Sequence, residues 1–131
     1  MINTTALLAG LAETEAAAVR GEWDQGEWET CFAAMVCTAA GGRWAYAEVP
    51  LFGDRTYLRT TPEDHPHTRR TVRGVSVVRV WDRARTVLGL EYGEQQADDL
   101  FRADATLERL RWLVREFVAA DTTRVVGDVD D

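Results

Sequence analysis

The feature that most constrains the fold is a nearly continuous apolar stretch at residues 31–40, with the sequence CFAAMVCTAA. Four of its ten residues are alanine, the strongest helix former, which favours a helix over the alternative of a buried strand. Gly41 and Gly42 follow it, and glycine is common just beyond the end of a helix. A helix that is apolar on almost every side must be surrounded by the rest of the chain. We therefore predict a central buried helix over residues 30–40.

The segment before this stretch predicts a first helix over residues 5–20, with Thr4 or Thr5 as its N-cap. We expect one arc of this helix to face the core, namely Leu7, Leu8, Leu11, Ala18 and Val19. The polar segment between the two helices carries Trp23 and Trp28. Because large rings in a polar segment gain most by lying against a core, we expect both to pack over the end of the central helix.

The remainder of the chain alternates between short β-like segments and helical ones. Residues 44–49 and 56–59 predict a hairpin, and residues 72–80 predict a third strand, with an exposed loop at 60–71. The predicted helices are residues 82–88, capped by Asp82, residues 93–101, and residues 107–118, capped by Thr106.

These elements define an α+β fold, with four or five helices around the central helix and a small antiparallel sheet of two or three strands. The 131 residues suit one domain, 1–131, and we expect residues 126–131 to form a frayed tail.

The net charge of −7 is unevenly distributed along the chain. Residues 1–64 carry ten acids and four arginines, residues 65–90 one acid and six arginines, and residues 91–131 eleven acids and five arginines. A basic middle between acidic ends is typical either of nucleic-acid binding or of charge pairing within one fold. The acidic total favours pairing within the fold. The six arginines concerned, which we call the arginine block, are Arg69, Arg70, Arg73, Arg79, Arg83 and Arg85.

Catalytic and metal-binding patterns are weak in this sequence. His65 and His67 form a His-x-His pair, but the chain has no other histidine to complete a zinc site, which favours a solvated loop. The single serine, Ser76, has no Gly-x-Ser-x-Gly context, and no glycine-rich phosphate loop precedes a helix. We expect neither an enzyme nor a cofactor.

Cys31 and Cys37 lie in the apolar helix, six residues apart, where a disulfide between them is geometrically excluded. Two buried free thiols are typical of a reducing compartment. No run of apolar residues is long enough to cross a bilayer. We therefore expect a cytoplasmic protein that does not insert into a membrane.

Several short segments resemble a family of small actinobacterial and actinobacteriophage proteins. The segments are WDQ at residues 23–25, CFA at 31–33, LGL at 88–90, QADDLF at 96–101 and TLE at 106–108. They occur in the family's order and cover both ends of the chain, leaving residues 43–74 unaligned. The chain lacks the Cys-Gly-Thr and Gly-Trp that flank the family's Cys-Phe-Ala segment. The resemblance implies a shared fold and a phage or mobile-element setting, and it supplies no catalytic residues.

The last helix carries the candidate interaction site. At about 100° per residue, its apolar residues cluster on one arc, and Trp112 lies about 170° from the middle of that arc. The neighbours of Trp112 on the outer face are charged: Glu108, Arg109, Arg115 and Glu116. A tryptophan with a charged rim is typical of a protein-binding hot spot, although the tail at residues 122–129 is nearly as well suited to cover it.

The sequence therefore favours a non-enzymatic protein-interaction module that binds a host protein or a second copy of itself. The alternatives are a nucleic-acid-binding protein that uses the arginine block, and a small enzyme or ligand-binding protein with a Trp-lined pocket.

Overall fold

The computed structural model of the chain describes residues 2–25, 31–42, 57–72, 74–90 and 95–130, with the backbone alone for 122–130. Its helices are α1 (Thr4–Val19), α2 (Phe32–Ala39), α3 (Val80–Leu88), α4 (Gln95–Phe101) and α5 (Leu107–Asp130). Its strands are β1 (Tyr57–Arg59), β2 (Arg69–Val72) and β3 (Val75–Arg79), with a short 3-10 turn at Pro66–Thr68. Five helices and a small antiparallel sheet in the described part of the chain confirm the α+β fold.

Helix α2 lies at the centre of the core, as its sequence predicts. All six of its residues from Phe32 to Cys37 are buried. α1 and α3 pack against α2, and α4 and α5 complete the helical layer. α1 comes especially close at Gly10, where an added Cβ would lie 2.6 Å from Val36 Cγ2.

The three strands form one antiparallel sheet in the order β1-β3-β2. The register pairs Leu58 with Val78 and Arg70 with Val77. Because alternate residues of a strand point to opposite faces, Leu58 and Val78 lie on the face that joins the main core. The opposite face carries a small second cluster around Val77.

The predicted orientation of α1 is wrong in part. Its N-cap is Asn3, whose Oδ1 accepts a hydrogen bond from Ala6 N at 3.1 Å. Leu8 and Val19, expected in the core, are 49% and 90% exposed. Leu7 is buried as predicted and Leu11 packs against the core, but the other buried positions of the helix are Gly10, Thr14 and Ala17.

The segment predicted as an exposed loop, residues 60–71, is also more ordered than expected. It contains the 3-10 turn and most of β2, and it buries Asp64 and Thr68.

The predicted hairpin partner of β1, residues 44–49, lies outside the described residues. α3 begins at Val80 rather than at Asp82, and its N-cap residue, Arg79, makes no side-chain capping bond.

Helix α5 begins where the sequence places it, because Thr106 Oγ1 accepts a hydrogen bond from Arg109 N at 3.1 Å. The helical backbone continues to Asp130, well past the predicted end at residue 118. Fraying of residues 126–131 stays a prediction. No helix among the residues described here is long and apolar enough to cross a membrane.

Candidate functional site

The outer face of α5 carries the largest exposed aromatic side chain in the described part of the molecule. The inner face of α5 buries Leu110, Leu113 and Val114 in the main core. Trp112 lies on the opposite side, and 46% of its surface is exposed. Full burial of a large apolar side chain contributes about 1.5–3 kcal/mol. A partner that covers the exposed part of Trp112 would gain a share of this free energy.

Neighbouring side chains hold the Trp112 ring and its helix in place. The Arg109 guanidinium carbon lies 4.5 Å from the centroid of the Trp112 ring, which is cation–π geometry. On an adjacent side of the helix, Arg111 Nε contacts Glu15 Oε1 of α1 at 2.9 Å. This pair is half-exposed and contributes little by itself. The burial of Leu110, Leu113 and Val114 holds α5 against the core, so Trp112 is presented on a fixed helix.

The course of the backbone bears on whether the chain covers its own tryptophan. Residues 122–130 continue the α5 helix. A continuous helix carries these residues along the α5 axis, at 1.5 Å per residue, and away from Trp112. The tail therefore does not fold back over the ring, as the alternative interpretation of this residue required.

The four charged neighbours of Trp112 are arranged in two flanks. At about 100° per residue, Glu108 and Arg115 share one flank of Trp112, and Arg109 and Glu116 share the other. All four are exposed. Each flank therefore has one acid and one base, placed one turn before and one turn after the tryptophan.

Three members of the arginine block are used inside the fold. Arg83 forms an ion pair with Asp64 at 2.6 Å, and Arg85 lies 3.8 Å from Asp82 and 3.7 Å from Asp98. Arg69 donates hydrogen bonds to the carbonyl oxygens of residues 61, 62 and 64, at 3.0–3.3 Å.

Two of the other members of the block lie on one face of the sheet. Arg70 and Arg79 are exposed on the sheet, on the face that carries Val77, and Arg73 lies outside the described residues. The described members of the block therefore have different surroundings. Arg83 and Arg85 lie near acids, Arg69 binds loop carbonyls, and Arg70 and Arg79 are exposed on the sheet. This division supports charge pairing within the fold.

Sequence reasoning missed the buried ion pair between Asp64 and Arg83. Arg83 Nε and Nη2 donate to the two Asp64 carboxylate oxygens at 2.8 and 2.6 Å, and Nη2 also donates to the Arg59 carbonyl at 2.7 Å. Burial alone raises the pKa of Asp64, but the bonds from Arg83 and from Thr61 N outweigh it and hold that pKa below its usual range. The partners are 19 residues apart, and no pattern in the sequence links them, so the pair has no sequence signal.

The two histidines lie on the surface and the two cysteines lie in the core. His65 and His67 stack with ring centroids 4.7 Å apart, and His65 Nδ1 accepts a hydrogen bond from His67 N. No group of three metal-binding side chains forms in the part of the chain covered here. Both thiols are buried, and burial raises the pKa of Cys37 to about 12, which suppresses the reactive thiolate.

A cavity of about 680 Å³ opens between the end of α2, the end of β1 and α3. Its described lining includes Arg59, Glu63, Arg83 and Thr86 and contains no tryptophan. A second cavity of about 500 Å³ adjoins it and shares Glu63 and Thr86. A pocket therefore exists, but its described walls combine apolar with polar and charged residues and are not Trp-lined.

Comparison of the chain with protein-family models, with curated proteins and with solved structures finds no match.

Proposed function

We propose that this chain is a non-enzymatic protein-interaction module that binds its partner through the outer face of α5, centred on Trp112. The observation that carries the proposal is the 46% exposure of Trp112 on a helix that is fixed to the core. Tryptophan is among the residues most enriched at binding hot spots, and a charged rim that surrounds one ring is common at such sites. We extend the proposal to a bacterial or phage setting on the family resemblance, and to the cytoplasm on the two buried free thiols.

The charges around Trp112 favour a second copy of the chain as partner. In an antiparallel pair of α5 helices related by a two-fold axis near Trp112, each flank meets the same flank of the other copy in reversed direction. Glu108 then faces Arg115 of the other copy, and Arg109 faces Glu116. All four cross-helix pairs are attractive. A parallel two-fold pair would instead face Glu108 with Arg109 and Arg115 with Glu116 of the other copy, so both directions are complementary and charge reversal separates them. A host protein with the same charge pattern would be complementary to this face of α5 as well.

One aromatic anchor from each copy buries less area than a standard interface, so we expect a reversible and concentration-dependent dimer. Sedimentation velocity from micromolar to submillimolar concentration measures it. Trp112→Glu should weaken the association at least about tenfold and should change the free energy of unfolding by less than about 1 kcal/mol, because the ring is on the surface. Leu8→Glu on α1 is the matched control, since Leu8 is 49% exposed on a different helix.

Charge reversal tests the antiparallel arrangement itself. Arg115→Glu should weaken the dimer, and adding Glu108→Arg to the same chain should restore it, because each flank is again complementary. A chain that stays monomeric at submillimolar concentration overturns the choice of a second copy as partner. If Trp112→Glu unfolds the domain, the ring belongs to the core and the interaction face is wrong.

A further inference from the structure

The cavity between α2, β1 and α3 contains a feature that neither the ion pair nor the α5 face explains. A guanidinium group has five N–H donors. In Arg83, three of them are used, by the two Asp64 oxygens and by the Arg59 carbonyl. The remaining nitrogen, Nη1, donates to no described residue, although 91% of the Arg83 side chain is buried, since only 9% is exposed.

Arg83 lines the cavity, so the cavity is the place where Nη1 can find an acceptor. Nη1 is not among the fully enclosed side-chain atoms of the described residues that lack a partner, so it is open to the cavity and can donate to a ligand there. The ion pair with Asp64 and the bond to Arg59 fix the plane of the guanidinium group. Its two free N–H groups are therefore pre-oriented and need little ordering when a ligand binds.

The rest of the lining shows which chemistry fits. Arg59 also lines the cavity, but its pairing with Val77 directs its side chain to the far face of the sheet. The hydroxyl of Thr61 donates to Asp64, and that of Thr86 donates to the Asp82 carbonyl. The guanidinium of Arg83 therefore determines the chemistry of the described lining. Guanidinium groups match the oxygen atoms of carboxylates and phosphates, with which they form charge-assisted hydrogen bonds. The volume of about 680 Å³ is in the range of small-molecule sites.

We propose that this cavity binds a small molecule through a carboxylate or phosphate group held by Nη1 of Arg83. Glu63 lies on the same wall, and as an exposed carboxyl it is ionised at neutral pH; the hydrogen bond from Thr61 lowers its pKa further. This carboxylate repels a bare anion, and it accepts hydrogen bonds from a ligand that also carries donor groups.

The test is a ¹H–¹⁵N NMR titration of the full chain with inorganic phosphate and, separately, with succinate. The amide groups of Gly41 and Gly42 report on the cavity, since both residues line it. We expect saturable shifts at these amides with at least one of the two anions, and the tighter anion identifies the class of group. An absence of saturable shifts with both anions overturns the proposal.

Variants separate this site from general attraction to arginines. Asp64→Asn/Arg83→Met removes both buried charges together, and the asparagine amide oxygen can still accept the Thr61 N–H bond. It should weaken anion binding at least about tenfold. Glu63→Gln removes the repelling carboxylate and should tighten binding about two- to threefold, and it serves as the test if the double variant does not fold.

Arg70→Gln is the matched control, because Arg70 is exposed on the far face of the sheet and does not line the cavity. It should leave the affinity unchanged. If Arg70→Gln weakens binding as much as the double variant, or if Glu63→Gln has no effect, the anion is attracted by the surface and the site is wrong.

Discussion

Among single residues, Gln25, the last residue of the Trp-Asp-Gln segment, joins three backbone groups from two parts of the core. Its Nε2 donates to the carbonyl oxygens of Leu100 and Arg102 at 2.9 and 3.0 Å, and its Oε1 accepts from Phe32 N at 2.8 Å. Phe32 begins α2, where the N-cap residue Cys31 makes no side-chain capping bond. Gln25 therefore supplies the missing cap from outside the helix and joins α2 to the end of α4.

We expect Gln25→Ala to lower the free energy of unfolding by about 3 kcal/mol or more, because three backbone groups lose their partner and an unmatched buried group costs about 1–3 kcal/mol. Gln25→Glu should cost more at neutral pH, since a carboxylate cannot donate to two carbonyl oxygens. Urea denaturation measures both, with Gln95→Ala as control, because Gln95 is exposed. A Gln25→Glu chain as stable as the wild type would show that this amide is not structural.

At the scale of elements, the sequence predicts the helices better than it predicts their orientation. α2 was predictable because an alanine-rich apolar run with glycines at its end is a local signal. Trp23 packs against the core as expected, and Trp28 lies outside the described residues. The α1 face was not predictable from large apolar residues, because the close contact with α2 selects small residues. β2 was not predicted, because its sequence RRTV shows no alternation of apolar and polar residues. Its pairing with β3 depends on tertiary contacts.

The close contact of α1 with α2 gives a prediction for Gly10→Ala. Alanine favours the helix by about 1 kcal/mol, but the new methyl group would meet Val36 Cγ2 at 2.6 Å and overpacking costs about 1–3 kcal/mol. We expect a net loss of stability of about 1 kcal/mol. In a Val36→Ala background the same change should become neutral or stabilising, which a double-mutant cycle by chemical denaturation measures. Additive effects of the two substitutions would contradict the close packing.

In the whole molecule, arginines from the basic middle of the sequence lie close to acids from the acidic segments on either side. The central arginines meet acids from both ends of the chain: Arg83 pairs with Asp64, and Arg85 lies near Asp98. The imbalance was visible in the sequence, but the partners were not, because surface and loop acids carry no periodic signal. The outer face of α5 was predictable for the opposite reason, since helical geometry alone places Trp112 opposite Leu110, Leu113 and Val114.

The buried pair makes stability depend on pH in a definite direction. The pKa of Asp64 is lowered in the folded chain, so its ionised form stabilises the fold at every pH above the ordinary aspartate pKa of about 3.9. That contribution is lost as the pH falls below this value and through the lowered pKa, because the proton must then displace the bond from Arg83. At neutral pH, Asp64→Asn alone leaves Arg83 buried and unpaired, and we expect a loss of about 3–5 kcal/mol. Asp64→Asn/Arg83→Met removes both charges and should be much less destabilised.

The decisive measurement is the free energy of unfolding of the wild type and of the double variant as the pH is lowered from neutral into the acid range. The two curves should run parallel above about pH 5 and should converge below about pH 4, since only the wild type has the Asp64 contribution to lose. Asp104→Asn is the control: Asp104 also has a lowered pKa, from Arg102, but the pair is exposed and solvent screens it. Its curve should follow the wild type closely. A double variant that loses stability in acid as steeply as the wild type would show that other carboxylates, and not the buried pair, set the acid limit of this fold.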